Sequence, residues 1–114
     1  MCGRFNIVDD PLSKITSEIL GIEFSTKSNS NACPSETIQT VCLGNDSAQL
    51  TQQPAQWGIK PSWAKKLLIN AQSETVHNKK TFKHAFQQHR CIIPFSGWYE
   101  WKTQASGNKQ KYLF

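Results

Sequence analysis

A chain of 114 residues that is 38% apolar, with four Trp, six Phe and two Tyr, can build the core of one small domain, which excludes a disordered tail. No apolar run is long enough to span a bilayer, and no basic segment leads into an apolar stretch at the N-terminus; the chain reads as cytoplasmic, with no membrane association. Thirteen Lys and Arg against eight Asp and Glu leave a net charge of +5, the balance of a protein that meets a polyanion or simply keeps a solvated basic face.

Residues 4–8 read as a short strand. Asp9-Asp10-Pro11 follows as an N-cap with Pro in the first turn, and Leu12, Ile15, Ile19 and Leu20 share one helical face that Gly21 can end. Residues 25–36, rich in Ser and Asn and holding Pro34, read as loop. Strands are expected at about 37–43 and 48–58 around a Gly44-Asn45-Asp46 turn. Pro61 and Lys65-Lys66 suggest an exposed loop before Leu67-Leu68-Ile69 returns to the core. A helix over 79–89 would place Phe82, Ala85, Phe86 and His89 on one side. Strands at 90–95 and 97–103 would flank a Ser96-Gly97 turn, and a last strand at 110–114 would follow Gly107-Asn108. There are no repeats and no linker. The order predicts one α+β domain with a mixed, mostly antiparallel sheet and a few short helices. Tyr112-Leu113-Phe114 would leave an apolar edge that a partner chain, or the rest of a larger domain, has to cover.

The charge is unevenly placed. Residues 1–59 carry three basic and six acidic side chains, whereas residues 60–114 carry ten basic and two acidic ones, Glu74 and Glu100. The four cysteines, at 2, 33, 42 and 91, show no C-x-x-C and no close Cys/His pairing, so neither a metal site nor a cofactor is expected. Cys42 and Cys91 fall in strand-like runs and are expected in the core. Cys33 fits either a core or a site residue.

Cys2 is the residue with distinctive chemistry. Methionine aminopeptidases remove Met1 when the second side chain is small, leaving an α-amine and a thiol on adjacent carbons. In reference compounds these titrate near about 8 and about 8.5, so both are partly deprotonated near neutral pH. Such an aminothiol condenses with an aldehyde to an imine and then closes to a five-membered thiazolidine, a ring that a Lys Schiff base cannot form. Gly3 lets the backbone pass close to a ligand, and Arg4 beside it can hold an anion.

At this point the residues resemble a known family. Met1-Cys2-Gly3-Arg4-Phe5 looks like the opening of the SOS response-associated peptidase (SRAP) family, abasic-site DNA–protein crosslinking proteins. Asn31-Ala32-Cys33-Pro34, Trp57-Gly58 with Pro61 and Trp63, Asn70-Ala71-Gln72-Ser73-Glu74, and Arg90 through Trp101 are similar to its later motifs, in order. The resemblance implies an SRAP-like partial barrel and a substrate, the ring-opened aldehyde of an abasic site in single-stranded DNA. It implies that Cys2 attacks, Asn70 positions the sugar and Glu100 shuttles protons, and it assigns DNA contacts to Arg4, Asn31, Pro34 and Trp63. Self-processing or peptidase activity and lyase-type activity come with the family, and a nucleoid-associated place in the cytoplasm with its substrate.

The residues support these roles unequally. Glu100 lies between Tyr99 and Trp101, a setting in which a carboxyl can serve as a general acid; the plain alternative is a structural carboxylate. Asn70 alone would read as a turn amide. Trp63, beside Lys60, Lys65 and Lys66, suits base stacking, whereas Trp57, Trp98 and Trp101 are expected in the core. Three features depart from the family: Gln72 stands where Arg is common, Ala64 where a second aromatic is frequent, and a distal segment bearing a catalytic His has no counterpart. The expectation is a fragment or a naturally shortened member of the family, completed, if it folds as it stands, by a homo-oligomer with exchanged strands. Its rivals are a glutamine amidotransferase with an N-terminal Cys nucleophile, a general protease, and a noncatalytic module that holds single-stranded DNA.

Overall fold

A computed structural model describes residues 2–45 and 48–114. The elements run β1 (Phe5–Ile7), α1 (Asp9–Leu20), β2 (Asn29–Ala32), β3 (Thr37–Leu43), β4 (Leu50–Gln56), α2 (Lys80–Gln88), β5 (Cys91–Ile92), β6 (Gly97–Thr103) and β7 (Lys109–Leu113). The fold is α+β, as the sequence suggests. The described strands form two sheets, not one, in the orders β2-β1-β6-β7 and β4-β3-β5. Every pairing is antiparallel, and no closed barrel forms among the described residues.

Local chemistry accounts for most elements. Asp10 keeps extended backbone angles (φ −97°, ψ 119°), so the regular turns of α1 begin at Pro11, whose fixed φ suits a first helical position. Gly21, at φ 65°, ends the helix with its N–H donating to the Ser17 carbonyl, as a left-handed cap requires. The β3–β4 pairing is regular from Thr37↔Gln56 to Leu43↔Leu50. Asp46 of its expected turn lies outside the described residues. β3 buries Ile38, Thr40 and Val41. A fully buried side chain such as Val41 contributes about 1.5–3 kcal/mol relative to leaving it in water.

Two expected elements are differently placed. The polar 25–36 stretch contains β2, which pairs with β1 through Phe5↔Ala32 and Ile7↔Asn29. Backbone pairing and one buried residue, Ala32, override the weak strand preference of Ser and Asn. Residues 90–95 and 97–103 do not form a hairpin: β5 pairs with β3, and β6 pairs with β1. Ser96 instead ties the crossing chain to β1, its N–H donating to the Asn6 carbonyl and its hydroxyl accepting from the Val8 N–H.

The core sits where the two sheets meet. Phe5, Ile7, Ala32 and Ile38 are buried together, and Cys2, Leu12, Trp57 and Ile93 pack against them. Phe5 lies between two parallel rings, Trp57 at 4.4 Å and Phe95 at 4.7 Å. Other apolar residues expected inside stand outside: Ile15 and Ile19 on α1, and Trp98 and Trp101 on β6; β7 is exposed, as its expected apolar edge implies. Cys91 is likewise exposed and Cys42 half-buried, because β5 is a two-residue edge with nothing beyond it among the described elements. No described helix is long and apolar enough to cross a membrane.

Candidate functional site

The site begins at Cys2 and is built from four chain segments. Cys2 is half-buried against the core, its thiol 3.7 Å from the Arg4 carbonyl. Its own carbonyl accepts a 2.9 Å hydrogen bond from the side-chain amide of Asn70. The segment carrying Asn70 is held in turn by Trp57, whose indole N–H donates to the Ile69 carbonyl at 3.1 Å. Leu68 adds a reciprocal backbone pair with Ile59, and the Leu67 side chain packs on Gly58 so closely that a Cβ there would lie 2.8 Å from it. Gly58, at φ 102°, is therefore required both by its backbone and by its neighbour.

Arg4 reaches the second segment. One guanidinium N–H donates to the Asn31 side-chain oxygen at 2.8 Å, and the group lies 5.9 Å from the Trp101 ring centroid, within cation–π range. The Arg4 Nε is buried without a partner among the described residues. Asn31 leads into a turn at Cys33–Glu36, closed by the Glu36 N–H on the Cys33 carbonyl. Pro34 suits the second position of that turn, and Ser35 takes φ 76°, a left-handed angle normally left to Gly. The angle is held in place because the Ser35 N–H donates to Trp57 and the Trp57 N–H to Glu36. The Cys33 N–H donates to the Glu36 carboxylate at 2.7 Å, and the Cys33 thiol to the Asn31 carbonyl, so Cys33 acts within this loop.

β6 forms the third wall. Its register, Phe5↔Trp98, with the Tyr99 N–H donating to the Arg4 carbonyl, sets the strand alongside residues 2–5. Glu100 follows Tyr99 and lines a shallow cleft of about 280 Å³ with Trp101, Lys102, Tyr112 and Phe114. Tyr99 donates its hydroxyl proton to the Ser30 carbonyl at 2.8 Å and so joins β6 to β2.

Direct hydrogen bonds thus join Cys2 to Asn70 and Arg4 to Asn31. Glu100 is brought to the same end of the fold by strand register, and Pro34 by the turn after Asn31. Trp63 stands apart, 67% exposed in its loop, with no described contact to Cys2. Two contributors are missing from the sequence reading. Trp101, expected in the core, lies 41% exposed beneath Arg4. Tyr99 belongs to the motif but carries no role in the sequence reading, and only its hydrogen bond to Ser30 shows that it clamps β2. No group of three or more metal-ligating side chains occurs among the described residues.

Comparison with known proteins places this arrangement. A family model described as SOS response associated peptidase (SRAP) matches residues 1–114. The chain is 34% identical over 110 residues to abasic site processing protein YoqW of Bacillus subtilis, covering 90% of this chain and 48% of that one. It is 31% identical over 121 aligned residues to YedK of Escherichia coli, also named as an abasic site processing protein, covering 100% and 53%. A crystal structure of a phage-related protein from Bordetella bronchiseptica superposes with a TM-score of 0.82 at 29% identity, over 98% of this chain and 54% of that one. The chain spans about half the length of these proteins. With its motifs, its fold and the whole of its length matched, the chain belongs to the SRAP family.

Proposed function

We propose that this chain binds single-stranded DNA containing abasic sites and captures their aldehyde on Cys2. The Asn70–Cys2 hydrogen bond carries the reading: an amide 68 residues away holds the backbone of the N-terminal residue against the core. A frayed terminus would not be held so. The family and the names of its abasic-site-processing relatives support a role in the DNA damage response.

The chemistry needs a free amine, so hydrolysis of the Met1–Cys2 bond, by an aminopeptidase or by the chain itself, comes first. The amine attacks the aldehyde carbon and water leaves as the imine forms. The thiol then adds across the C=N bond, sulfur to carbon and proton to nitrogen. The product is a thiazolidine, one water lighter than its reactants, with no net oxidation or reduction. Glu100 supplies and removes the protons of dehydration and ring closure. Asn70 fixes the attacking residue and polarises the reacting centre. The imine is also the species from which β-elimination, a lyase reaction, proceeds. Arg4 and Asn31, with Pro34 in the adjoining turn, form a polar floor for the phosphate backbone, and Trp63 offers an exposed face to an unpaired base. No cofactor enters this scheme, and its setting is the cytoplasm, on the nucleoid.

Intact mass spectrometry after incubation with an abasic-site oligonucleotide tests this. The expected species is protein without Met1 plus one oligonucleotide minus one water. Ammonia release from glutamine with no adduct would favour an amidotransferase. Retention of DNA only under native conditions would favour a noncatalytic binding module.

A further inference from the structure

Two of the four cysteines face each other across a strand ladder. In the β3–β5 pairing Cys42 stands opposite Cys91, and Val41 opposite Ile92. Directly opposed residues of an antiparallel pair have Cα atoms about 4.5–5.5 Å apart and side chains on one face of the sheet. A disulfide spans Cα separations of about 4.4–6.8 Å, so the ladder already holds this pair within disulfide reach. No other described strand pair sets cysteine against cysteine. The thiols of Cys2 and Cys33 lie instead against the Arg4 and Asn31 carbonyls.

The pair is open to a reagent. Both residues are free thiols, Cys91 exposed and Cys42 half-buried. Both line a cleft of about 360 Å³ whose walls include Thr40, His89 and Arg90. Burial raises the Cys91 thiol above its ordinary range, and Cys42 raises it further against the opposing effect of the Thr40 hydroxyl. The two sulfurs therefore lie near enough to feel each other's charge. Neither residue has a part in aldehyde capture.

A bond here would fasten a weakly held segment. β5 is two residues long and pairs with β3 alone. Just beyond it, Ile93 packs on the core and Phe95 stacks on Phe5 at 4.7 Å. The stretch that delivers these contacts is thus tied to the second sheet by two residue pairs.

We propose that Cys42 and Cys91 form a reversible disulfide that fastens β5 to β3, with a low-molecular-weight disulfide as oxidant. The thiolate of Cys91, the exposed partner, attacks one sulfur of the reagent and expels the other as a thiolate, leaving a mixed disulfide on Cys91. The Cys42 thiolate then attacks the Cys91 sulfur and expels the second half of the reagent. Two protein thiols are oxidised, one reagent disulfide is reduced to two thiols, and the two protons pass to those products. Excess dithiol reverses both steps. The proposal does not rest on the chemistry of Cys2.

The test uses the full chain, first reduced, then incubated with oxidised glutathione, blocked with N-ethylmaleimide and digested for peptide mass spectrometry. A linked Cys42–Cys91 peptide is expected as the main protein disulfide, removed by dithiothreitol and reduced several-fold in yield when the oxidation is run in urea. Cys42→Ala is expected to keep glutathione on Cys91. The linked chain is expected to melt at least about 5 °C above the reduced one, because the bond restricts a long loop in the unfolded state. Glutathione retained separately on both residues, a linked peptide that forms equally well in urea, or two chains joined through Cys91 would each overturn the proposal. So would an oxidised chain that melts no higher than the reduced one.

Discussion

The side-chain amide of Asn70 donates to the carbonyl of Cys2 across 2.9 Å, joining the start of the chain to the loop after Gly58. Asn70→Ala removes this tether without touching the thiol. A neutral hydrogen bond of this kind is worth about 0.5–1.5 kcal/mol, so the crosslinking rate should fall about two- to thirteenfold through orientation alone, and further if the amide also polarises the reacting centre. Time courses on denaturing gels with abasic single-stranded DNA measure it. An unchanged rate would show that Cys2 is placed by its core contacts alone.

Replacing Cys2 separates the two steps of capture. Cys2→Ala keeps the amine once Met1 is removed but has no sulfur to close the ring. It should give no heat-stable adduct, yet should form an imine that borohydride traps. If Cys2→Ala still yields a denaturant-resistant species without reductant, ring closure through sulfur is not the mechanism.

Trp63 should act on binding and not on chemistry, because it is exposed and has no described contact with Cys2. Trp63→Ala is expected to cost about 1–3 kcal/mol of affinity for single-stranded DNA, the range for losing one stacked base. The crosslinking rate at saturating DNA should stay as it is. Fluorescence anisotropy and single-turnover gels provide the two readings.

Cys91 offers a pH signature. Partial burial pushes its thiol above the ordinary value, the facing Cys42 adds to this, and the Thr40 hydroxyl works against it. Because the folded state holds the proton more tightly than the unfolded one, the related stability is full below the unfolded thiol pKa, near about 8.5, and is lost as pH rises through the folded value. Iodoacetamide labelling followed by peptide mass spectrometry from pH 7 to about 10 should show Cys91 reacting late. Cys42→Ala should move its onset to lower pH, and Thr40→Val to higher.

Gly97 tests how the last two strands are joined. A Cβ there would lie 2.5 Å from the Phe114 carbonyl oxygen and 3.0 Å from Leu113. Backbone cannot swing aside as a side chain can, so Gly97→Ala must part β6 from β7, at a cost of about 1–3 kcal/mol. Urea denaturation followed by tryptophan fluorescence reads the loss.

Where residue chemistry is local, the fold was legible in the sequence. The helix from Pro11 to Leu20, its Gly21 stop and the β3–β4 pairing all follow from spacing and turn residues. β2 was not legible, because Asn29-Ser30-Asn31 becomes a strand only through its partner β1. The separation of β5 from β6 was hidden for a related reason: Ser96-Gly97 has the composition of a tight turn but carries the chain from one sheet to the other. Trp98 and Trp101 were expected inside because aromatic strands usually are, and the open face keeps them out. At the candidate site, the residues could be named from motifs, but their relations could not. That Arg4 meets Asn31, and that Trp57 holds the segment bearing Asn70, depends on contacts between residues 12 to 27 positions apart.

The sandwich of Phe5 between Trp57 and Phe95 has an optical consequence. Phe5 lies three residues from Cys2 and is clasped by an indole whose N–H already points at the residue before Asn70. Any shift of Cys2 must alter the packing and polarity around Trp57. The protein therefore carries its own fluorophore beside Cys2, and the proposed capture predicts a change in emission that needs no attached label.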